Sequence, residues 1–138
     1  IDHRGKNTMS EEKKFRREIF QEVRPWGKFR VFPHQNAGSL KIITVNPGGV
    51  LSLQYHHHRS EFWVILDSGL EITLGDKIWE PQPGEEIFIP VKIPHRIKNK
   101  SSRPSRIMEI WIGSSDENDI VRLQDDYGRT EKEVRRKK

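Results

Sequence analysis

The chain has 138 residues, enough for one domain with its own core, and carries a formal net charge of +5 with a pI near 9.6. Most of that charge lies in residues 129–138, where three Arg and three Lys stand against two Glu, so the body is close to neutral and a nucleic-acid partner is not expected. There is no cysteine, which excludes disulfides, thiolate ligands and a Cys nucleophile, and no apolar run of membrane-spanning length or signal-peptide core, so a cytoplasmic protein without membrane contact is expected.

Residues 1–8 are polar and unpatterned. Ser10 precedes acidic residues and then Phe15, Ile19, Phe20 and Val23, a spacing that suits a short N-capped helix or a helical turn leading into a strand. Arg24-Pro25-Trp26-Gly27 breaks this pattern. Its Trp is expected to lid one end of a core, and its Arg could be presented at the mouth of a pocket. Lys28 to Phe32 alternates as a strand, and 33–38 reads as a loop.

Ser39 to Val45 alternates with Leu40, Ile42 and Thr44 on one face and Lys41, Ile43 and Val45 on the other. A lysine in such a strand usually snorkels to solvent. On an inward face, Lys41 is instead a candidate for contact with a sugar phosphate or for catalysis. Asn46-Pro47-Gly48-Gly49 is a turn. Phe62 to Leu66, Leu70 to Leu74, Lys77 to Glu80, Glu86 to Ile89 and Ser105 to Ile112 read as strands, separated by turns at Asp67-Ser68-Gly69, Gly75-Asp76 and Pro81 to Gly84. Pro90 to Pro94 is a bend that aims His95, and Asp119 to Arg129 shows no regular period. Many short strands without a long helix predict an all-β sandwich or barrel. The expected organisation is an N-terminal helical or extended arm (1–21), a β-barrel (22–129) and a basic flexible tail (130–138).

The stretch Gly48 to Glu61 carries the chemistry. If a strand continues through it, Gln54, His56 and His58 share one face, and Glu61 can return to that face after a turn. Imidazole, carboxylate and amide oxygen together suit a divalent transition metal. An internal His-His-His run can also be a surface accident.

The spacing resembles the two motifs of the cupin superfamily. Gly48, Gln54, His56, Glu61 and Ser68 fall in register with the first motif, and Gly84, Pro90, Lys92, His95 and Asn99 with the second. Gln54, Ser68 and Lys92 depart from it, standing for a His and two Gly. Within the superfamily, Arg24-Pro25-Trp26-Gly27, Val45-Asn46-Pro47-Gly48, Leu51-Ser52-Leu53-Gln54, His56-His57-His58-Arg59 and Asp119 to Leu123 with Asp125 to Arg129 look like the type II phosphomannose isomerase domain. Phe62 departs from that pattern, in which a His commonly follows the Glu. In that family the domain is often fused behind a guanylyltransferase, for which 138 residues leave no room.

The resemblance implies a cupin double-stranded β-helix, that is, a jelly-roll barrel, with metal ligands Gln54, His56, Glu61 and His95. His58 rivals Gln54 for one place in that set. Zinc is the expected ion, with manganese, iron, cobalt or nickel compatible. The implied activity is interconversion of mannose 6-phosphate and fructose 6-phosphate, with a non-catalytic, metal-containing sugar-binding cupin as the alternative. Lys41 and His58 are candidates for proton transfer or carbonyl polarisation, and Arg24 and Arg129 for the sugar phosphate. Arg59 and Arg96 adjoin ligands, and strand parity is expected to turn them outward. A homodimer is expected, as cupin barrels commonly pair through edge strands or exchanged arms, with the N-terminal segment contributing.

Overall fold

The computed structural model describes residues 12–14, 16–34, 37–114 and 116–128. Residues 12–14 and 16–18 are helical, and the chain then enters β1 (Phe20–Arg24). The helical pattern expected as far as Val23 therefore stops earlier, because Phe20, Glu22 and Arg24 take the two-residue alternation of a strand paired to β2 (Gly27–Val31). Ser10, the expected cap, lies outside the described residues, as do Arg129 and the basic tail.

The remaining strands are β3 (Ser39–Val45), β4 (Leu53–Tyr55), β5 (Arg59–Ile65), β6 (Leu70–Leu74), β7 (Lys77–Trp79), β8 (Glu86–Ile89), β9 (His95–Asn99), β10 (Ser105–Gly113) and β11 (Val121–Gln124). They form two antiparallel sheets, one ordered β1-β2-β3-β10-β5-β8 and the other β11-β4-β9-β6-β7. β9 and β11 were not expected as strands. Both are short and edged by polar residues, and their pairing with β4 and β6 comes from the tertiary fold rather than from local period.

The core lies between the sheets. Strict alternation sends Ile43 and Val45 of β3, Trp63 and Ile65 of β5, Leu70 and Ile72 of β6, Ile97 of β9 and Ile107 of β10 inward, all of them buried. Each such side chain contributes about 1.5–3 kcal/mol relative to exposure. Trp26 is buried in the same cluster and closes one end of it. Beside it, Gly27 pairs with Val45 so closely that a Cβ would stand 1.9 Å from the Thr44 carbonyl oxygen, so only glycine fits there.

Asn99 closes the same end, beside Val45 and the 46–49 turn that also meets Trp26. Its Nδ2 donates to the carbonyls of Val45 (2.9 Å) and Arg103 (2.7 Å), and its Oδ1 accepts from the N–H (2.8 Å) and hydroxyl (2.7 Å) of Ser101. A buried amide satisfied on both sides ties the end of β3 to the loop between β9 and β10 at little desolvation cost. The two sheets thus leave the other end of the barrel, around β4, β9 and β5, for chemistry.

Candidate metal centre and its cavity

β4 ends at Tyr55, and the chain bends through His57 and His58 before β5 begins at Arg59. The bend is held by Asp119, a buried carboxylate whose two oxygens accept the backbone N–H groups of His57 (2.8 Å) and His58 (2.9 Å). Burial pushes the Asp119 carboxyl up, but these two bonds and the neighbouring histidines outweigh it and hold it below the ordinary aspartate range.

The bend breaks strand parity, and two expectations change with it. His58 turns to the exposed surface, against His57 at 6.0 Å between rings, and so neither rivals Gln54 as a ligand nor reaches the site for proton transfer. Arg59, expected to face outward, points in with Glu61, Trp63 and Ile65 on the inner face of β5. Arg96 does face away, with its Nε donating to the Leu51 carbonyl at 2.9 Å.

His56, Glu61 and His95 converge, each offering one donor atom, with all three atoms within 4.8 Å of one another. His56 Nε2 is 3.0 Å from Glu61 Oε2, and His95 Nε2 is 4.0 Å from Glu61 Oε1. The other nitrogen of each ring meets a backbone carbonyl, Nδ1 of His56 at 2.6 Å from the Asp119 oxygen and Nδ1 of His95 at 2.9 Å from the Ile93 oxygen. A carbonyl can only accept, so both Nδ1 atoms carry the proton and both Nε2 atoms present lone pairs to the cluster.

His95 Nε2 is buried and has no hydrogen-bond partner, and burial pushes this imidazole's pKa down against the pull of Glu61, which keeps the ring neutral. Burial also pushes Glu61 up. The contacts with His56, His95 and Arg59 overcome that and hold it far below the usual carboxylate range. Two imidazoles, an ionised carboxylate and an orphaned buried nitrogen fit a divalent cation. Gln54 stands opposite His95 in the β4–β9 register, and its Oε1 accepts from the Ser52 hydroxyl at 2.5 Å.

Arg59 covers this cluster. Its Nε donates to Glu61 Oε2 at 3.1 Å, its Nη2 donates to His56 Nε2 at 3.3 Å, and its guanidinium lies 3.4 Å from the centre of the Trp111 ring. Trp63 Nε1 donates to the other Glu61 oxygen at 2.9 Å.

Above Arg59 opens a cavity of about 240 Å³ whose wall includes Arg24, Phe29, Lys41, Gln54, Arg59 and Glu109. Lys41 faces inward as the alternation of β3 allowed, with Nζ 4.6 Å from the Phe29 ring centre, 4.4 Å from that of Trp111 and 3.6 Å from Glu109 Oε1. Arg24 stands at the mouth, 4.9 Å over Phe29 and 3.4 Å from Glu22. Glu109 escaped the sequence reading because it is identified only by register, which sets it opposite both Lys41 and Trp63. Burial, joined by the Glu61 charge and opposed by Lys41, pushes its pKa up to about 7.

The profile of the mannose-6-phosphate isomerase C-terminal family matches residues 8–125. The chain belongs to this family. It is 41% identical over 108 residues to the xanthan biosynthesis protein XanB of Xanthomonas campestris pv. campestris, covering 78% of this chain and 23% of XanB. It is 38% identical over 125 residues to a mannose-1-phosphate guanylyltransferase of Klebsiella pneumoniae, covering 90% of this chain and 26% of that one. It is 40% identical over 108 residues to the alginate biosynthesis protein AlgA of Pseudomonas aeruginosa, covering 78% and 22%. The family member described here thus spans about a quarter of the length of these relatives.

Among solved structures, the capsular polysaccharide assembling protein CapF of Staphylococcus aureus superposes with a TM-score of 0.68 at 20% identity, over 77% of this chain and 34% of that one. A cupin-2 domain of Rhodospirillum rubrum does so with 0.61 at 17%, over 73% and 78%. The fold is therefore the cupin double-stranded β-helix. The implied activity fares differently. The relatives are named for guanylyl transfer or for polysaccharide biosynthesis and none as an isomerase, which overturns the expected interconversion of mannose 6-phosphate and fructose 6-phosphate; the non-catalytic sugar-binding alternative is not favoured either.

Proposed function

We propose that this cupin is a divalent-metal enzyme module of mannose metabolism, which binds an anionic sugar derivative in the cavity above His56, Glu61 and His95 and performs acid–base chemistry on it. The observation that carries this reading is two imidazole Nε2 atoms and one ionised carboxylate directed at a common point, with Gln54 and Arg59 beside them lining an open cavity. Gln54 is the fourth ligand in this reading, through the lone pair of Oε1 that Ser52 leaves free. Nitrogen and oxygen donors in this ratio suit zinc, and such an ion supplies Lewis-acid polarisation of a bound oxygen.

The protein's own groups divide the remaining work. Arg24 at the mouth is placed to meet a phosphate through its planar fork. Lys41 and Glu109 face each other across the cavity wall, a cation beside a carboxyl that titrates near neutrality, so Glu109 can give or take a proton while Lys41 stabilises its charged form. Trp111 and Phe29 hold Lys41 between two rings and limit water there. Arg129, the other arginine considered for phosphate, lies outside the described residues.

The test combines elemental analysis with calorimetry. One zinc per chain is expected, lost in His56→Ala and in Glu61→Gln, together with binding of mannose-series sugar phosphates or nucleotide sugars that weakens at least tenfold in Arg24→Ala. A wild-type chain that takes up no divalent ion, or binds none of these anions, overturns the reading.

A further inference from the structure

We propose that the outer face of the six-stranded sheet is a self-association surface, on which a second copy of the chain packs about a two-fold axis parallel to the strands through Met108. The site described above uses the inner face of this sheet. On the outer face, β3, β10, β5 and β8 present Leu40, Ile42, Met108, Ile110, Phe62, Val64 and Phe88 to solvent or partly so, and Phe88 is 52% exposed. The register makes this a continuous patch. One row runs Leu40–Ile110–Phe62–Phe88 across four strands, and the row beside it runs Ile42–Met108–Val64 across three. A soluble domain seldom leaves so many neighbouring apolar side chains uncovered on one face without a partner.

What identifies the partner is the charge at the two ends of the second row. Ile42 is flanked by Arg30 on β2, itself beside Gln21 of the edge strand β1, and Val64 by Glu86 on β8, so from β2 to β8 the row reads Arg30–Ile42–Met108–Val64–Glu86. Both end residues are exposed, and neither has an ion-pair partner among the described residues. They stand four strand spacings apart, about 19 Å at roughly 4.8 Å per spacing, too far to meet within one chain.

A two-fold axis along the middle strand exchanges the two ends and keeps each row facing its own copy. Arg30 of one protomer then meets Glu86 of its partner, and the reverse, while Met108 meets Met108. Sheets packed face to face keep their strands within about 30° of each other, which preserves this matching. An axis across the strands would instead set Arg30 on Arg30 and Glu86 on Glu86. The row is thus complementary to itself in one orientation, as a symmetric interface between identical subunits requires.

The test is the molar mass of the intact chain by sedimentation equilibrium across micromolar concentrations, with circular dichroism to confirm that each variant is folded. Wild type is expected to be dimeric, and Met108→Glu monomeric. Arg30→Glu and Glu86→Arg, each of which sets like charges across both ends, are each expected to raise the dissociation constant about tenfold or more. The double variant R30E/E86R, which reverses both signs, is expected to recover wild-type association. A wild-type monomer at 100 μM or so, a dimer indifferent to Met108→Glu, or a double variant no better than the single ones overturns the proposal.

Discussion

Arg59 and Glu61 form a buried ion pair, Nε to Oε2 at 3.1 Å, two residues apart on one face of β5, and the same guanidinium also donates to His56 Nε2. A cation thus rests against two of the three residues that would hold a metal ion. Arg59→Met removes it and leaves Glu61 without that neutralising charge. Breaking a buried pair in this way costs about 3–5 kcal/mol, so the metal-free variant is expected to melt lower. Its zinc affinity is expected to rise at least tenfold, because the ion no longer competes with the guanidinium. Thermal unfolding and zinc titration of wild type and variant check both; weaker zinc binding in the variant would mean that Arg59 supports the site rather than competes for it.

Glu109 sets a pH dependence of stability. Its folded pKa, about 7, lies above the ordinary glutamate value, so between those limits the folded state binds more protons than the unfolded one. Stability is therefore expected to fall as pH rises from about 4.5 to 7, by a few kcal/mol at most, and to level off above. Glu109→Gln is expected to flatten this slope and to be more stable than wild type at pH 8. Denaturant midpoints at several pH values give the measurement, and an unchanged slope in the variant counts against the assignment.

Asp119 acts with the opposite sign. Its folded pKa is depressed, so its contribution is present above the ordinary aspartate value and is lost as pH falls through the folded one. Asp119→Ala removes two charge-assisted bonds to the His57–His58 bend and is expected to cost about 1.5–3 kcal/mol at pH 7. Asp119→Ala keeps the backbone carbonyl that fixes the His56 ring but frees the segment that carries it, so zinc affinity is expected to drop by about 10–100-fold. Metal titration of a variant shown to be folded separates the two effects.

Lys92, which stands where the cupin motif has glycine, has φ at +65°, and its N–H donates to the His56 carbonyl at 2.7 Å. The left-handed conformation costs a side-chain-bearing residue about 1–2 kcal/mol, offset in Lys92→Gly by the greater freedom of glycine in the unfolded chain. A net gain of up to about 1 kcal/mol is expected, with zinc binding unchanged. A variant less stable than wild type would show that the lysine side chain makes a compensating contact.

Much of this was legible where local alternation and tertiary burial agree. β3, β6 and β8 have the bounds their alternation implies, and His56, Glu61 and His95 are brought together as the motif spacing implied. The reading failed where one residue of bend reverses parity. Counting faces straight through His56, His57 and His58 put His58 inside and Arg59 outside, whereas the Asp119-held bend does the reverse. Asp119 and Glu109 were missed for another reason. Each acts across a gap of many residues, Glu109 through strand register and Asp119 through a loop folded against the His56–His58 bend, and only the tertiary fold reveals what lies opposite.

His95 belongs to β9 in the five-stranded sheet and Glu61 to β5 in the six-stranded one, with His56 on the segment that passes between them. An ion seated on all three is therefore a clasp across the open end of the barrel, where no disulfide can form because the chain has no cysteine. Its binding free energy adds directly to that of folding, so the cohesion of the two sheets follows the free metal concentration of the surroundings. If the site is filled, a chelator is expected to act as a denaturant, loosening first the end of the barrel at which the cavity opens.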